Sequence, residues 1–190
     1  MRVEETIEKC KRDDIRSKEL VYKTFYGYVR AVVVRYVYSE NDTEELINDS
    51  FIKIFNNLNS FIPGQTGEQT LKIFKGWIGK IASRTAIDHL RRSRRNLFIE
   101  KIEDNDSIYT PVAVSSQLEA NDILALLKKL PQMHSLVFNL YEIEGFSHEE
   151  IAQQLQISQS SSRVFLTRAK NKLKSLYFEN QTSIVKNENE

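Results

Sequence analysis

The chain has 190 residues, of which 41% are hydrophobic and 28% charged, and its formal net charge at pH 7 is +1. This composition is sufficient for packed cores, in one medium domain or two small ones. The sequence has no apolar run near the roughly 18 residues of a membrane span and no signal peptide at its N-terminus, so we expect a cytoplasmic protein without direct membrane insertion. A single cysteine, Cys10, excludes an internal disulfide and a thiolate metal cluster.

The composition favours helices, because the whole chain contains only three prolines and six glycines. The N-terminal residues look frayed, which predicts that the Cys10 thiol is incidental. Over residues 18–38, apolar side chains recur at three- and four-residue steps, the period of a long helix with one buried face. A second helix should be capped by Asn41 or Asp42, carry acid in its first turn and end near Asn59.

A basic helix is predicted after the polar loop at residues 62–69. It spans residues 74–95, and its apolar face consists of Phe74, Trp77, Ile78, Ile81, Thr85 and Leu90. Its basic residues, opposed within the segment only by Asp88, are Lys75, Lys80, Arg84, Arg91, Arg92, Arg94 and Arg95. A polyanion is the simplest partner for this surface, and nucleic acid is the first expectation.

A change of composition separates the first domain, residues 1–96, from the second, residues 118–178. Residues 97–117 are polar, acidic and aperiodic, which predicts a flexible linker. In the second domain the helical period stops at Pro131, and it restarts with Leu136, Val137, Leu140 and Ile143 before Gly145 ends that helix. Residues 179–190 look like a disordered tail.

Residues 145–173 fit a helix-turn-helix. Ser147 and Glu150 form a capping box for its first helix, and Ile151, Ala152 and Leu155 face inward. The second helix is basic and amphipathic, and small polar residues at its start would let its N-terminus approach DNA. A plain helical hairpin with a solvated basic face is the alternative.

Two residues depart from the usual helix-turn-helix pattern. Gln156 occupies the position where such turns usually have glycine, which implies either a left-handed residue or a different turn geometry. Ser162 replaces an apolar residue one turn before Leu166. We therefore expect packing under the second helix to depend on Phe165 and Leu166.

Three segments together resemble the extracytoplasmic-function group of bacterial RNA polymerase sigma factors. These are DTEELINDSFIKIFNNLNSF at residues 42–61, the basic helix FKGWIGKIASRTAIDHLRRSRR at 74–95, and LPQMHSLVFNLYEIEGFSHEEIAQQL at 130–155. The resemblance spans about residues 18–177. It implies an all-α fold of two small helical domains joined by the acidic linker, the first binding the β′ clamp helices and melting the −10 element. The second would bind the −35 element and the β flap.

The family motifs also imply roles for particular residues. The polymerase-binding residues would be Asp42, Glu45, Asn48, Asp49, Phe51, Lys53 and Phe55. The residues at the −10 element would be Trp77, Lys80, Arg84, Asp88, Arg91 and Arg92. The residues at the −35 element would be Ser160, Ser161, Arg163, Val164, Thr167 and Arg168. Arg84 departs from the asparagine of many relatives, so the −10 base preference is not carried over.

Each of these assignments has a simpler reading. The acidic residues at 42–49 could cap a helix, and Trp77 could belong to the core. Arg163 and Arg168 could contact phosphate instead of reading guanine.

The sequence therefore predicts a dissociable specificity subunit of RNA polymerase that needs no cofactor and catalyses nothing itself. Its expected partners are the core polymerase and promoter DNA, and an anti-sigma factor is a candidate third. Scattered histidines and the lack of a nucleophile elbow or a glycine-rich phosphate loop argue against an enzyme. A stand-alone helix-turn-helix regulator is the main alternative, although it would not need a second basic surface. An RNA-binding adaptor is weaker, because its usual motifs are absent.

Overall fold

The computed structural model describes residues 3–37, 39–93 and 125–187, with side chains as far as residues 92 and 178. Every regular element in these ranges is helical, as predicted. The chain divides into two compact units, Met1–Arg95 and Asn96–Glu190. The predicted linker at 97–117 lies outside the described residues.

The first unit contains four helices. They are α1 (Val3–Lys11), α2 (Ile15–Val33), α3 (Glu40–Asn57) and α4 (Gly67–Ser93), and a 3₁₀ turn, Leu58–Ser60, follows α3. Each of α2, α3 and α4 packs against the other two, and α1 lies against α2 and α4. The largest fully buried side chains of this core are Phe25, Leu46, Ile47, Ile54, Leu58, Phe74, Ile78 and Ile87.

The N-terminal segment is an ordered helix, which corrects the prediction that it is frayed. Val3, Ile7 and Cys10 lie one helical turn apart and are buried, because α1 packs on the rest of the unit. Burial raises the pKa of the Cys10 thiol to about 11. The thiolate is therefore disfavoured at neutral pH.

Helix starts differ from the predicted positions because hydroxyl and carboxylate caps lie further upstream. The Asp14 carboxylate accepts from the Ser17 N–H at 2.8 Å and begins α2. Ser39, not Asn41 or Asp42, caps α3. The predicted loop ends three residues early, because Thr66 accepts from the Gln69 N–H at 3.2 Å at the start of α4. Thr66 and Gln69 have the spacing of a capping box, a signal that the sequence contained.

α2 ends at Val33, before the predicted limit at residue 38. Residues 34–36 form a turn instead, after a run of β-branched residues at 32–34. Such residues lose χ1 freedom in a helix and lower its propensity, which favours an end at this point.

The second unit is built around a helix-turn-helix. A helical turn at 125–127 precedes α5 (Gln132–Phe138), which runs into a π turn, Asn139–Ile143. α6 (His148–Leu155) and α7 (Gln159–Asn187) follow, and α7 packs against both α5 and α6. The most deeply buried apolar side chains are Val137, Leu140, Phe146, Ile151, Leu155 and Ala169.

Two predictions for this unit need correction. Ile143, expected on the inner face, is 44% exposed, because the π turn adds a residue and rotates the helix register. The predicted tail beginning at 179 is helical as far as Asn187. No glycine or proline follows Gly145, so nothing in the composition interrupts α7 once it has formed.

The turn between α6 and α7 resolves the alternatives at Gln156. This residue adopts the left-handed conformation, with φ 56° and ψ 42°, and its N–H donates to the Ala152 carbonyl. The capping box is confirmed: the Glu150 N–H donates to the Ser147 hydroxyl at 3.1 Å, and the Ser147 N–H donates to the Glu150 carboxylate at 2.9 Å. The predicted helix-turn-helix backbone is therefore present.

Candidate functional site

One edge of α3 is tied to the antiparallel helix α2 by a ladder of polar contacts at four-residue spacing on both helices. Its rungs are Tyr22 OH to Asn48 Oδ1 at 3.1 Å, Tyr26 OH to Glu44 Oε1 at 2.6 Å, and Arg30 Nη2 to Glu40 Oε1 at 3.0 Å. The hydrogen bond to Glu44 raises the pKa of Tyr26. The ladder fixes the rotation of α3 about its own axis and hence which residues face outward.

The outward side of α3 carries most of the residues predicted to bind polymerase. Glu45 and Asn48 are exposed, and Asp42, Asp49, Lys53 and Phe55 are partly buried. Phe51 is different: it is 2% exposed, and its ring lies 4.5 Å from that of Tyr22. Its side chain is therefore not available to a partner, and its place is in the core of the unit.

Ile52 lies on this outward side and was missed by sequence reasoning. It is 58% exposed, one turn after Asn48 and Asp49. Its position three and four residues after two predicted contacts was a usable signal, but an isoleucine in an amphipathic helix is usually assigned to the core.

α4 has an apolar side, which is buried, and a cationic side, which faces outward. Its buried stripe includes Phe74, Ile78, Ala82, Thr85, Ala86 and Ile87. Ile81 and Leu90, predicted on that face, lie at its margin and are half-buried. Lys75, Arg84 and Arg92 are exposed on the other side, and Lys80 and Arg91 are half-buried. Arg94 and Arg95 lie outside the described residues.

Trp77 lies between the core and the surface. Its ring stacks on that of Phe74 with 5.8 Å between centroids, and it lies at a tilt 5.4 Å from that of Phe61. The side chain remains partly exposed. Trp77 is therefore part of an aromatic cluster and still presents some surface beside the cationic side of α4.

The two predicted surfaces of the first unit meet near the start of α3. The Asp42 carboxylate lies 3.9 Å from His89 Nε2 on α4. Further along α4, the Asp88 carboxylate lies 3.8 Å from the Arg91 guanidinium, and Arg92 Nε donates to the Asp88 carbonyl at 3.3 Å. Asp88 thus lowers the local positive charge of a helix end that is otherwise basic.

The start of α7 brings together the residues predicted at the −35 element. The Ser158 hydroxyl accepts from the Ser161 N–H at 2.9 Å and lies within 2.8 Å of the hydroxyls of Ser160 and Ser161. Exposed side chains follow at Arg163, Val164 and Thr167, and that of Arg168 is half-buried. The opposite side is buried and consists of Ser162, Phe165, Leu166 and Ala169.

Two family models match the chain. The model of sigma-70 region 2 matches residues 21–96, and that of sigma-70 region 4 matches residues 120–173. Together they cover more than half of the sequence. The chain belongs to the sigma-70 family of sigma factors, in its extracytoplasmic-function group.

Relatives of this sigma factor span nearly its whole length. It is 28% identical over 177 residues to the ECF RNA polymerase sigma-E factor of Haemophilus influenzae, which covers 85% of this chain and 89% of that protein. It is 26% identical over 180 residues to the RNA polymerase sigma-H factor of Pseudomonas aeruginosa, covering 87% of this chain and 89% of that one. A solved complex of the sigma factor RpoE with the anti-sigma factor NepR from Bartonella quintana is 19% identical, with a TM-score of 0.49, covering 86% of this chain and 98% of that chain.

The resemblance inferred from the sequence is confirmed by the family models and the named relatives. Regions 2 and 4 make this sigma factor a promoter-recognition subunit of RNA polymerase that acts in transcription initiation and binds core polymerase and promoter DNA. Sigma factors are non-enzymatic regulatory subunits. Region 2, which corresponds to α2, α3 and α4, is the part that a stand-alone helix-turn-helix regulator would lack.

The described residues of this sigma factor contain neither a membrane-spanning helix nor a cluster of metal ligands. Among residues 3–37, 39–93 and 125–187, no helix is long and apolar enough to span a bilayer. Within the same ranges, no group of three or more histidine, cysteine, aspartate or glutamate side chains is arranged to hold a metal ion.

Proposed function

We propose that the two domains of this sigma factor divide promoter recognition between them. The domain at residues 1–96 binds the β′ clamp helices and holds the melted −10 element. The domain at residues 118–178 binds the −35 element and the β flap, and residues 97–117 link the two. The subunit acts with core polymerase in the cytoplasm and catalyses no covalent step itself. One observation carries the proposal: each unit has a basic helix whose opposite side is buried in its own core.

The outward side of α3 supports a role in docking. Glu45 and Asp49 carry negative charge there, and the exposed Ile52 supplies an apolar contact between them and Lys53. Charged residues around an apolar centre suit a specific protein interface, in which the charges set the register and the apolar group adds affinity. The ladder to α2 holds this side of the helix in place before the partner arrives.

The cationic side of α4 supports a role in promoter opening. Holding an extruded base costs on the order of a few kcal/mol, which stacking and cationic contacts can offset. Trp77 has part of its ring exposed beside this side of the helix, and the guanidinium of Arg84 can stack on a base or contact phosphate.

The exposed side of α7 supports a role in duplex binding. Arg163 and Arg168 can contact phosphate or the acceptor edge of guanine, and Val164, 40% exposed between them, can contact a thymine methyl group. An anti-sigma factor remains a candidate partner on the strength of the family alone.

The division of labour can be tested with reconstituted holoenzyme. Replacing Trp77 and Arg84 with alanine should leave promoter binding intact but block strand opening, and a premelted bubble template should restore part of the transcription. Replacing Arg163 and Arg168 with alanine should instead weaken duplex binding and lower its salt slope by about one per lost phosphate contact. Permanganate footprinting of unpaired thymines and salt-dependent binding would measure the two effects.

Controls make this test specific. Lys72→Ala removes an exposed cation from the same helix, before the predicted basic surface at residues 74–95, so opening should be unaffected. Arg84→Ala alone leaves Trp77 and the aromatic cluster intact. It therefore shows whether opening is lost because a DNA contact is missing or because the core of the unit is damaged. Normal opening by both the double variant and Arg84→Ala would contradict the melting role.

Docking through α3 has a separate test. The double reversal Asp49→Lys with Lys53→Asp keeps the net charge but inverts the outward surface, so copurification with core polymerase should be lost. The matched control is the reversal Glu19→Lys with Lys23→Glu, which inverts an exposed ion pair at the same spacing on α2. Docking lies elsewhere if the α3 variant still copurifies, or if both reversals disrupt binding equally.

A further inference from the structure

A side-chain hydrogen bond joins the two helices of the helix-turn-helix. Ser162 is fully buried in the first turn of α7, and its Oγ lies 2.9 Å from Nδ1 of His148, the first residue of α6. The imidazole also stacks on the ring of Tyr141 in the π turn, with 4.4 Å between centroids and 22° between planes. His148 therefore contacts both of the elements that flank its own helix.

Ser162 is a polar residue on the buried side of α7. Phe165, Leu166 and Ala169 on the same side are buried. Burying a hydroxyl without a hydrogen-bond partner is strongly unfavourable. The contact with His148 gives the Ser162 hydroxyl the partner that its apolar neighbours cannot provide. A hydrogen bond also depends on direction, so it restricts the orientation of Ser162 about the helix axis more narrowly than an apolar contact at this position would.

The rotation of α7 matters because its exposed side carries the residues that would contact DNA. Arg163 and Val164 immediately follow Ser162, so any change in the orientation of Ser162 about the helix axis moves both. We propose that His148 and Ser162 form a hydrogen-bonded clasp that orients α7 for the −35 element, which makes His148 a positioning residue for promoter binding. The inference rests on the proposed −35 role of α7.

Charges around the clasp favour a neutral imidazole. Burial, followed by the nearby Arg163 and Lys170 of α7, lowers the pKa of His148 below its ordinary value of 6.5. Glu142 of the π turn lies 2.6 Å from Lys170, and Tyr141 covers the ring. On its own helix, Glu149 and Glu150 follow His148, but the positive end of α6 also disfavours an imidazolium there.

The sign of the pH effect follows from this direction. A histidine whose pKa falls on folding contributes its full stabilisation above the unfolded value of 6.5, and loses it as the pH drops through the folded pKa. Acidification should therefore loosen the clasp. Replacing His148 with asparagine, whose amide occupies the place of Nδ1 without titrating, should keep the hydrogen bond and remove this part of the pH dependence.

The test uses holoenzyme binding to a promoter, compared with the same promoter carrying a randomised −35 element. Ser162→Ala and His148→Ala should each weaken binding to the intact promoter by roughly three- to tenfold, and the double variant should be no weaker than the worse single variant. His148→Asn should retain affinity at neutral pH and show a flatter decline toward pH 5.5. Gln153→Ala, an exposed residue on α6, is the control and should bind normally.

Several outcomes would overturn the clasp. These are additive losses in the double variant, equal losses on the randomised promoter, an asparagine variant as weak as the alanine variant, or an unchanged pH profile. Arg163→Ala with Arg168→Ala in the same assay separates the two proposals. If the double arginine variant loses −35-dependent binding while Ser162→Ala keeps it, only the clasp fails. If the double arginine variant keeps −35-dependent binding, the −35 role of α7 and the clasp fail together.

Discussion

Helices α3 and α4 of the first unit and helix α6 of the second are held in different ways. In Met1–Arg95, α3 and α4 have 18 and 27 residues, and each is anchored by several fully buried side chains. In Asn96–Glu190, α6 has eight residues, so besides the buried Ile151 and Leu155 its orientation depends on groups at its two ends: a capping box and a left-handed Gln156. A long helix is oriented by packing along its length, whereas the orientation of a short helix depends more on the cap and the turn at its ends.

The largest effect should come from the packed core of the first unit. Phe74→Ala removes a fully buried ring that contacts Phe25, Phe61 and Trp77, and should lower the free energy of unfolding by about 3–5 kcal/mol. Denaturant unfolding followed by helicity would measure it. Ile73→Ala, an exposed neighbour on the same helix, should change stability by about 0.5 kcal/mol or less. Similar losses in both variants would mean that packing does not anchor α4.

Removing the N-terminal cap of α6 should cost less stability but affect a larger part of its helix. Ser147→Ala removes the cap of α6 and should cost about 1 kcal/mol. Because α6 is short, hydrogen exchange should accelerate over the whole helix. Ser39→Ala removes the corresponding cap of α3, but faster exchange should stay within the first turn of that longer helix. The comparison fails if exchange spreads equally through α3.

The smallest effect should be a gain in stability at the turn. Gln156→Gly removes the steric cost of a left-handed glutamine and should stabilise the chain by about 0.5–1 kcal/mol. Asp13→Gly changes the other left-handed non-glycine residue that the structure describes, with φ 66°. Its gain should be smaller, because aspartate tolerates this conformation and Asp13 contacts Lys18. Thermal melts that ranked the two in the opposite order would contradict the argument.

Much of the fold could be predicted from the sequence, because its signals are local. The helical period of α2, the Ser147 capping box and the glycine that ends the π turn depend on residues within a few positions of one another. The boundaries that were misplaced, at Ser39 and Thr66, also had local signals, since each has a hydroxyl three residues before the amide that it caps. The sequence likewise indicated the two basic helices and the family.

Packing in three dimensions determines which apolar residues are buried where the helical period leaves two choices. Phe51 and Ile52 are adjacent apolar residues, yet packing of α3 on α2 buries the first and exposes the second. Ile143 faces outward because a π turn, which no single residue type specifies, shifts the register. The contact between His148 and Ser162 joins residues fourteen positions apart, and it exists because a left-handed Gln156 returns α7 across α6. The helical period shows that a helix has an apolar face, but packing determines which residues that face contacts.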